Sequence, residues 1–302
     1  MIPATWTPSY KVTRLSTVPK VLRPEYYFDL NVMDYRELFQ AVSYVWEVVE
    51  RIQEETTVDD ITRRLCETVA DCGETSTDIS GRVEVRIAAD CKVEPRVTLS
   101  GDGGLVCIDE GADIRPGTTI ISGQNAVYIG KGAKVGPNAH IDATKGSVCV
   151  GDKATLRQGS YLRELSLIAG KAIIGNSCEI KCALIGPEAE VPHFNYVGDS
   201  IIGCKSHLGA GVKISNLKIT PDPEKTHSVN VKVENQVYKT GLRKFGIILG
   251  DHAQLGCNVV ANPGTLVGKN TIVYTGSNIT GFIPENTVVK LRQTFESIEL
   301  HS

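Results

Sequence analysis

An aliphatic residue that returns every sixth position leaves this chain few folds to choose from. Between Ile185 and Asn216 (IGPEAEVPHFNYVGDSIIGCKSHLGAGVKISN) the series runs Ile185, Val191, Val197, then Ile202, Leu208, Ile214, with one residue missing between Val197 and Ile202. Small residues follow several of these positions, as at Gly186, Gly198, Gly203 and Gly209. A helix repeats every 3.6 residues and an ordinary strand every two. Six is the period of a hexapeptide-repeat parallel β-helix, in which each hexad lays a short strand and a turn on one face of a prism. The aliphatic residue points inward, and glycine takes positions where a Cβ would clash. Coils stack roughly 4.8 Å apart, one strand spacing. The interval recurs at Ile108, Ile114, Ile120; at Ile129, Val135, Ile141; at Val150, Leu156, Leu162; at Ile168, Ile174, Ile180; and at Leu249, Leu255, Ala261, Val267, Val273. The expected fold class is therefore mainly β.

Outside the hexads the pattern changes. Residues 1–30 carry four prolines and no clean period, as an extended arm would. Asp34 and Glu37 form a capping-box signature ahead of a helical stripe of Leu38, Phe39, Val42, Val45, Trp46, Val49 and Ile52. Thr57–Asp60 repeats the signature before Ile61, Leu65 and Val69, and Gly73 stands where a C-cap glycine belongs. Two helices, about 34–55 and 58–72, are expected, closing the open end of the β-helix or docking a partner. Residues 217–245 interrupt the repeat: Val229, Val231 and Val233 alternate, Glu234-Asn235 is a turn, and Val237 begins a return strand. This predicts a β-hairpin projecting from the prism. The expected domains are 1–79, an arm and helical cap; 80–285, the β-helix with its insertion at 217–245; and 286–302, a tail.

Charge is nearly balanced, with 32 basic against 35 acidic residues, so no nucleic-acid footprint is expected. The chain lacks an apolar run of membrane-spanning length and a secretory pattern at its start, which predicts a soluble, cytoplasmic protein without membrane contact. The nine cysteines include no CxxC pair, and Cys178 with Cys182 lacks further partners at ligand spacing. Reduced thiols filling interior positions are expected, with no metal.

Four stretches resemble one family: LRQG at 156–159, GNSCEIKCALIG at 175–186, VPHFNYVGDSIIG at 191–203 and LGAGVKISN at 208–216. They look like the acetyltransferase domain of the bifunctional glucosamine-1-phosphate N-acetyltransferase/N-acetylglucosamine-1-phosphate uridyltransferases, enzymes of UDP-N-acetylglucosamine biosynthesis. TGLRKFGIILGDHAQLGCNVVANPG at 240–264 is similar to the archaeal version. The first 80 residues do not match the uridyltransferase domain, and no Gly-rich nucleotide loop stands near the start, so uridyl transfer is not expected. The resemblance implies a left-handed β-helix, an exception to the right-handed crossover rule. It also implies a homotrimer with sites between neighbouring chains, and acetyl-CoA as co-substrate for acetylation of an amino-sugar phosphate. Carried over, His193 is the general base and Asn216 sits beside the amine and thioester. Arg157 and Lys181 hold the phosphate, Tyr196 contacts the sugar or its phosphate, and Lys244 is a further contact of this kind. Ala210, Cys257 and Thr275 fall where the family meets CoA.

Two positions depart from the family pattern. His207 replaces the Asn that precedes the aliphatic-Gly-Ala-Gly and helps bind the sugar, and Cys257 replaces a serine near CoA. The acceptor could therefore differ, and the competing expectation is a non-catalytic nucleotide-sugar-binding or assembly module of the same fold. A three-histidine metal site, as in trimeric β-helix carbonic anhydrases, is disfavoured because no histidine pair has that family's five-residue spacing.

Overall fold

The computed structural model describes residues 18–70, 78–220 and 227–298. Gly73, the expected C-cap, and the prolines at 221 and 223 lie outside them. The protein is mainly β and forms the parallel β-helix that the hexads imply. A ten-stranded parallel sheet, from Lys92–Val93 to Val288–Val289, makes the first face. A sixteen-stranded sheet wraps the other two, because long strands such as Glu179–Ile185 and Tyr196–Ile202 run through the corner between them. On the second face, the register Leu99↔Ile120↔Ile141↔Leu162↔Ile180↔Val197 puts one aliphatic residue of each coil directly over the next. Every hexad residue named above is at most 1% exposed.

The turns use glycine less than expected. Lys153, Lys171, Phe194 and Lys205 occupy corners with φ of 57°, 59°, 53° and 53°. A left-handed conformation costs an ordinary residue roughly 1–2 kcal/mol. Here the corner amides bond to the preceding coil, as Lys171 N to Asp152 O at 2.8 Å and Lys205 N to Pro187 O at 2.9 Å, which offsets that cost. Glycine is needed for a different reason just after the inward aliphatic. A Cβ on Gly203 would lie 2.6 Å from Asp251 N, and one on Gly209 2.5 Å from Cys257 N.

The N-terminal segment does not close the end of the prism, as expected of a cap; it lies along the third face. Over the span expected to hold two helices its regular pieces are Arg36–Phe39 (3-10), Glu47–Gln53 and Glu55–Cys66, shorter than expected. Tyr27 O accepts from Asp251 N at 2.8 Å, and Asp34 accepts from Gly170 N at 2.8 Å. Asp34 thus ties the arm to a coil rather than capping a helix. Farther along, Gln53 reaches Asp199, and Asp59 accepts from Ser147. The arm therefore runs back from late coils toward early ones. The reason is visible on the third face, whose outward residues Leu105, Tyr128, Leu167, Leu184, Ile201, Ile248 and Leu266 are apolar and buried. They meet Tyr27, Phe28, Leu38, Phe39, Val49, Ile52 and Ile61 of the arm. Each such side chain withdrawn from water contributes about 2 kcal/mol.

The hairpin also folds back instead of projecting. Its strands Asn230–Val233 and Gln236–Lys239 pair antiparallel about Glu234-Asn235, as expected. Val229, Val231 and Val233 are buried in the same apolar layer, and Tyr238 lies 6.3 Å from Trp46 of the arm. The tail beyond Val289 has no regular structure through residue 298. Among the described residues every cysteine is a free thiol, and no helix is long and apolar enough to cross a membrane.

Leu162→Ala, which empties one step of the buried ladder, should lower unfolding free energy by about 3 kcal/mol. Urea denaturation followed by circular dichroism will read this as a lower midpoint at unchanged slope.

Candidate active site

The second face is left open by the arm and carries Lys181 and Tyr196, with Asn216 and Lys244 at its edge. Alternation along its strands points Lys181, Tyr196 and Gly198 outward while Ile180 and Val197 point in. At the edge toward the third face these meet Asn216 and Lys244, whose segments are joined by a bridge between Leu217 and Lys244. Asn216 Nδ2 donates to Tyr196 Oη at 3.2 Å and to the carboxylate of Asp199. Gly198 makes this pairing possible, since a Cβ there would lie 2.6 Å from Tyr196 Oη and 2.8 Å from Asn216 Nδ2.

Electrostatics of this cluster turn on two buried carboxylates and two lysines. Asp199 is 1% exposed, and burial raises its pKa against the hydrogen bonds from Asn216 and Gln53. Lys181 lies 3.4 Å from Glu164. Burial works against its charge, but Cys182, Glu164, Asp199 and the Lys244 amine together hold its pKa above the usual lysine value. Lys244 moves the other way, pushed down by burial and by the adjacent Lys181 charge. Glu164 also binds Arg163 at 2.9 Å, and Arg163 reaches Glu179 at 3.1 Å. Burial of Tyr196 raises its phenol, so it remains a neutral donor and acceptor.

His193 and Arg157 lie apart from that cluster, at the corner between the first and second faces. With Lys134, Gln158 and Asn176 they line a groove of about 610 Å³. His193 ends the strand Glu190–His193 and is exposed, next to Phe194 at 59% exposure. The turn is held from inside by Asn195, 2% exposed, whose Oδ1 accepts from Val212 N at 2.7 Å. A second groove, about 390 Å³ on the first face, joins Cys257 and Thr275, expected at the cofactor, with His207, expected at the sugar. His207 Nδ1 lies 3.0 Å from Glu190, away from the Lys181 cluster. Ala210 is half-buried on the turn stacked against Asn258, with its carbonyl accepting from Asn258 N at 2.9 Å. Within one chain, then, the nominated residues form three groups rather than one. Among the described residues no cluster of three His, Cys, Asp or Glu could hold a metal.

Residue patterns alone did not single out Asp199, Glu164, Asn195 or Gln53, and marked Gly198 only as a small residue of the repeat. Asp199 had a signal: it sits in the hexad that is one residue short, at a corner with φ of 49°. Gln53 had none, because its contact depends on where the arm lies.

Comparisons with known proteins agree with the motif resemblance. No protein-family model matches the chain. Over 133 residues, 44% of this chain, it is 33% identical to the bifunctional protein GlmU of Methanocaldococcus jannaschii. Over 118 residues, 39% of the chain, it is 38% identical to the bifunctional sugar-1-phosphate nucleotidylyltransferase/acetyltransferase of Sulfurisphaera tokodaii. The matched segments span only 31% and 28% of those relatives' own lengths. Among solved structures, the UDP-N-acetylglucosamine acyltransferase of Francisella novicida overlaps 63% of this chain and 61% of its own, at 17% identity and a TM-score of 0.24.

The Glu164 carboxylate has a lowered pKa: burial raises it, and Arg163 and Lys181 more than reverse that. A depressed acid contributes stability above its unfolded pKa and loses it as pH falls through the folded one. Glu164→Gln should cost about 3 kcal/mol at pH 7, because Lys181 and Arg163 lose a buried partner. The gap between variant and native protein should close as pH drops below about 4; urea midpoints measured from pH 7 to pH 3 will show it.

Proposed function

We propose that this protein is an acetyl-CoA-dependent N-acetyltransferase acting on an amino-sugar phosphate such as glucosamine-1-phosphate. The observation that carries this reading is the cluster of Lys181, Tyr196, Asn216 and Lys244, four positions nominated by family pattern that fold into one half-buried patch. The acetyltransferase named in the Sulfurisphaera tokodaii relative supports it.

In this reading His193 takes the proton from the acceptor ammonium or amine. The freed nitrogen attacks the thioester carbonyl, the C–S bond breaks, and CoA leaves as the thiol once protonated. Asn216, held by its bonds to Tyr196 and Asp199, sits beside the amine and the thioester. Lys181 holds its charge for a phosphate, with Arg157 as a second cation. Transfer is direct, without an acyl-enzyme.

Three separate groups of candidate residues on one chain would be united if copies pack side by side. A neighbour's corner with His193 and Arg157 could then face the Lys181 cluster. A homotrimer does this with three equivalent sites, and that assembly is part of the proposal.

CoA release from acetyl-CoA with glucosamine-1-phosphate tests the reading. The native protein should turn over, and His193→Ala should lose about 10²–10⁴-fold in kcat. Absence of turnover together with absence of acetyl-CoA binding would sink it. Gly198→Ala should fold normally yet lose activity by about 100-fold, since its methyl displaces Tyr196 and Asn216; an unchanged kcat would remove that pair from the site.

A further inference from the structure

We infer that Gln53, on the N-terminal helix Glu47–Gln53, is a positioning residue of the candidate active site, acting through Asp199 on Asn216. The inference rests on the acetyltransfer reading above. Asp199 is buried, and its two carboxylate oxygens are divided between two amides. Oδ1 accepts from Gln53 Nε2 at 2.7 Å, and Oδ2 accepts from Asn216 Nδ2. Gln53 Nε2 also donates to Lys244 O at 2.8 Å. One side-chain amide of the arm therefore fixes both the carboxylate that orients Asn216 and the backbone that carries Lys244.

The backbone around this link is tied in the same way. Gly246 N donates to Asp199 O at 2.8 Å, and Phe245 N to Asn216 O at 2.9 Å. Asp199 itself is held at φ of 49°, a conformation an ordinary residue adopts at a cost, so its surroundings must impose it. What those backbone bonds leave undetermined is rotation of the Asp199 carboxylate about its last torsion, a broad and soft coordinate. Gln53 and Asn216, bonded to opposite oxygens, set that angle. Without Gln53 the carboxylate is free to turn, and Asn216 loses its fixed orientation beside Tyr196. Because Ile52 is buried against the third face, the helix cannot slide without giving up apolar contact, so Gln53 is delivered at a fixed point. The arm is thus part of the site as well as cover for an apolar face.

A positioning role predicts a loss in kcat with little change in KM, since Gln53 is placed to touch Asp199 and not the acceptor. With acetyl-CoA and glucosamine-1-phosphate, Gln53→Leu should lower kcat by about 10-fold to 100-fold and leave KM within about twofold. Asp199→Asn should fall about as far. Adding Gln53→Leu to Asp199→Asn should then cost no more than about twofold further, because coupled residues do not add. Gln53→Asn, which keeps the amide but shortens its reach, should behave like Gln53→Leu and serves if the latter does not fold. A second readout does not depend on turnover: in protein labelled with 15N-asparagine, the Asn216 side-chain amide signal should move in Gln53→Leu. Unchanged kcat in the Gln53 variants, or a full extra loss in the Asp199→Asn background, would overturn the inference while leaving the acetyltransferase reading intact. If the native protein fails to turn over, that reading fails on its own. The Asn216 amide signal then decides the link, with movement supporting it and an unmoved signal overturning it.

Discussion

Everything in this protein depends on coils stacking at one strand spacing around a column of aliphatic side chains. Parallel pairing fixes the distance between coils, so each inward position must hold a residue that fits directly over the one before it. That requirement fixes the outward positions equally. A residue at one register point on each coil repeats every roughly 4.8 Å along the axis, and rows of side chains result. His140, Tyr161, Glu179 and Tyr196 form one such row, and the pairs Asp142 with Arg163 and Lys181 with Gly198 lie beside it, aligned by pairings that the apolar ladder dictates. The candidate site is therefore a by-product of the core's geometry, read out on the outer surface.

The prism also creates a problem that the rest of the chain resolves. A two-sided strand on the third face has an apolar residue both inward and outward, and the outward set must be covered. The arm and the hairpin share this task, meeting through Trp46, Tyr44 and Tyr238. Covering one face selects the others for different work: the first and second remain open, and the grooves holding His193 with Arg157, and His207 with Cys257, open there. Burial at the seam between covered and open faces then tunes charge. Burial and the neighbouring Lys181 charge push the Lys244 pKa down, while Cys182, Glu164 and Asp199 hold that of Lys181 up against burial.

The hexads were legible because an inward position on a β-helix tolerates few side chains, so position and residue type are tightly linked. The hairpin's strands and turn were legible through alternation and Glu234-Asn235. Its docking was not, since alternation of Val229, Val231 and Val233 says that one side is buried but not against what. The helices were placed approximately, yet the Asp34 capping signature misled. A carboxylate ahead of an apolar stripe can equally bind an amide of a distant coil, and Gly170 N supplied one. In the site, Lys181, Tyr196 and Asn216 stood out through the resemblance of their motifs to the family's. Glu164 and Gln53 did not, because their roles come from partners far apart in the chain.

By itself the sequence determined the period, the direction in which each repeat residue points, and the outward rows that follow, because a parallel coil permits only one register. Tertiary structure alone decided which face the arm covers, where the hairpin lies, and which candidates share a pocket. Those outcomes depend on contacts between segments separated by a hundred or more residues, such as Gln53 with Asp199. No local pattern encodes them, since matching apolar surfaces and buried hydrogen bonds choose between arrangements only once the chain has folded.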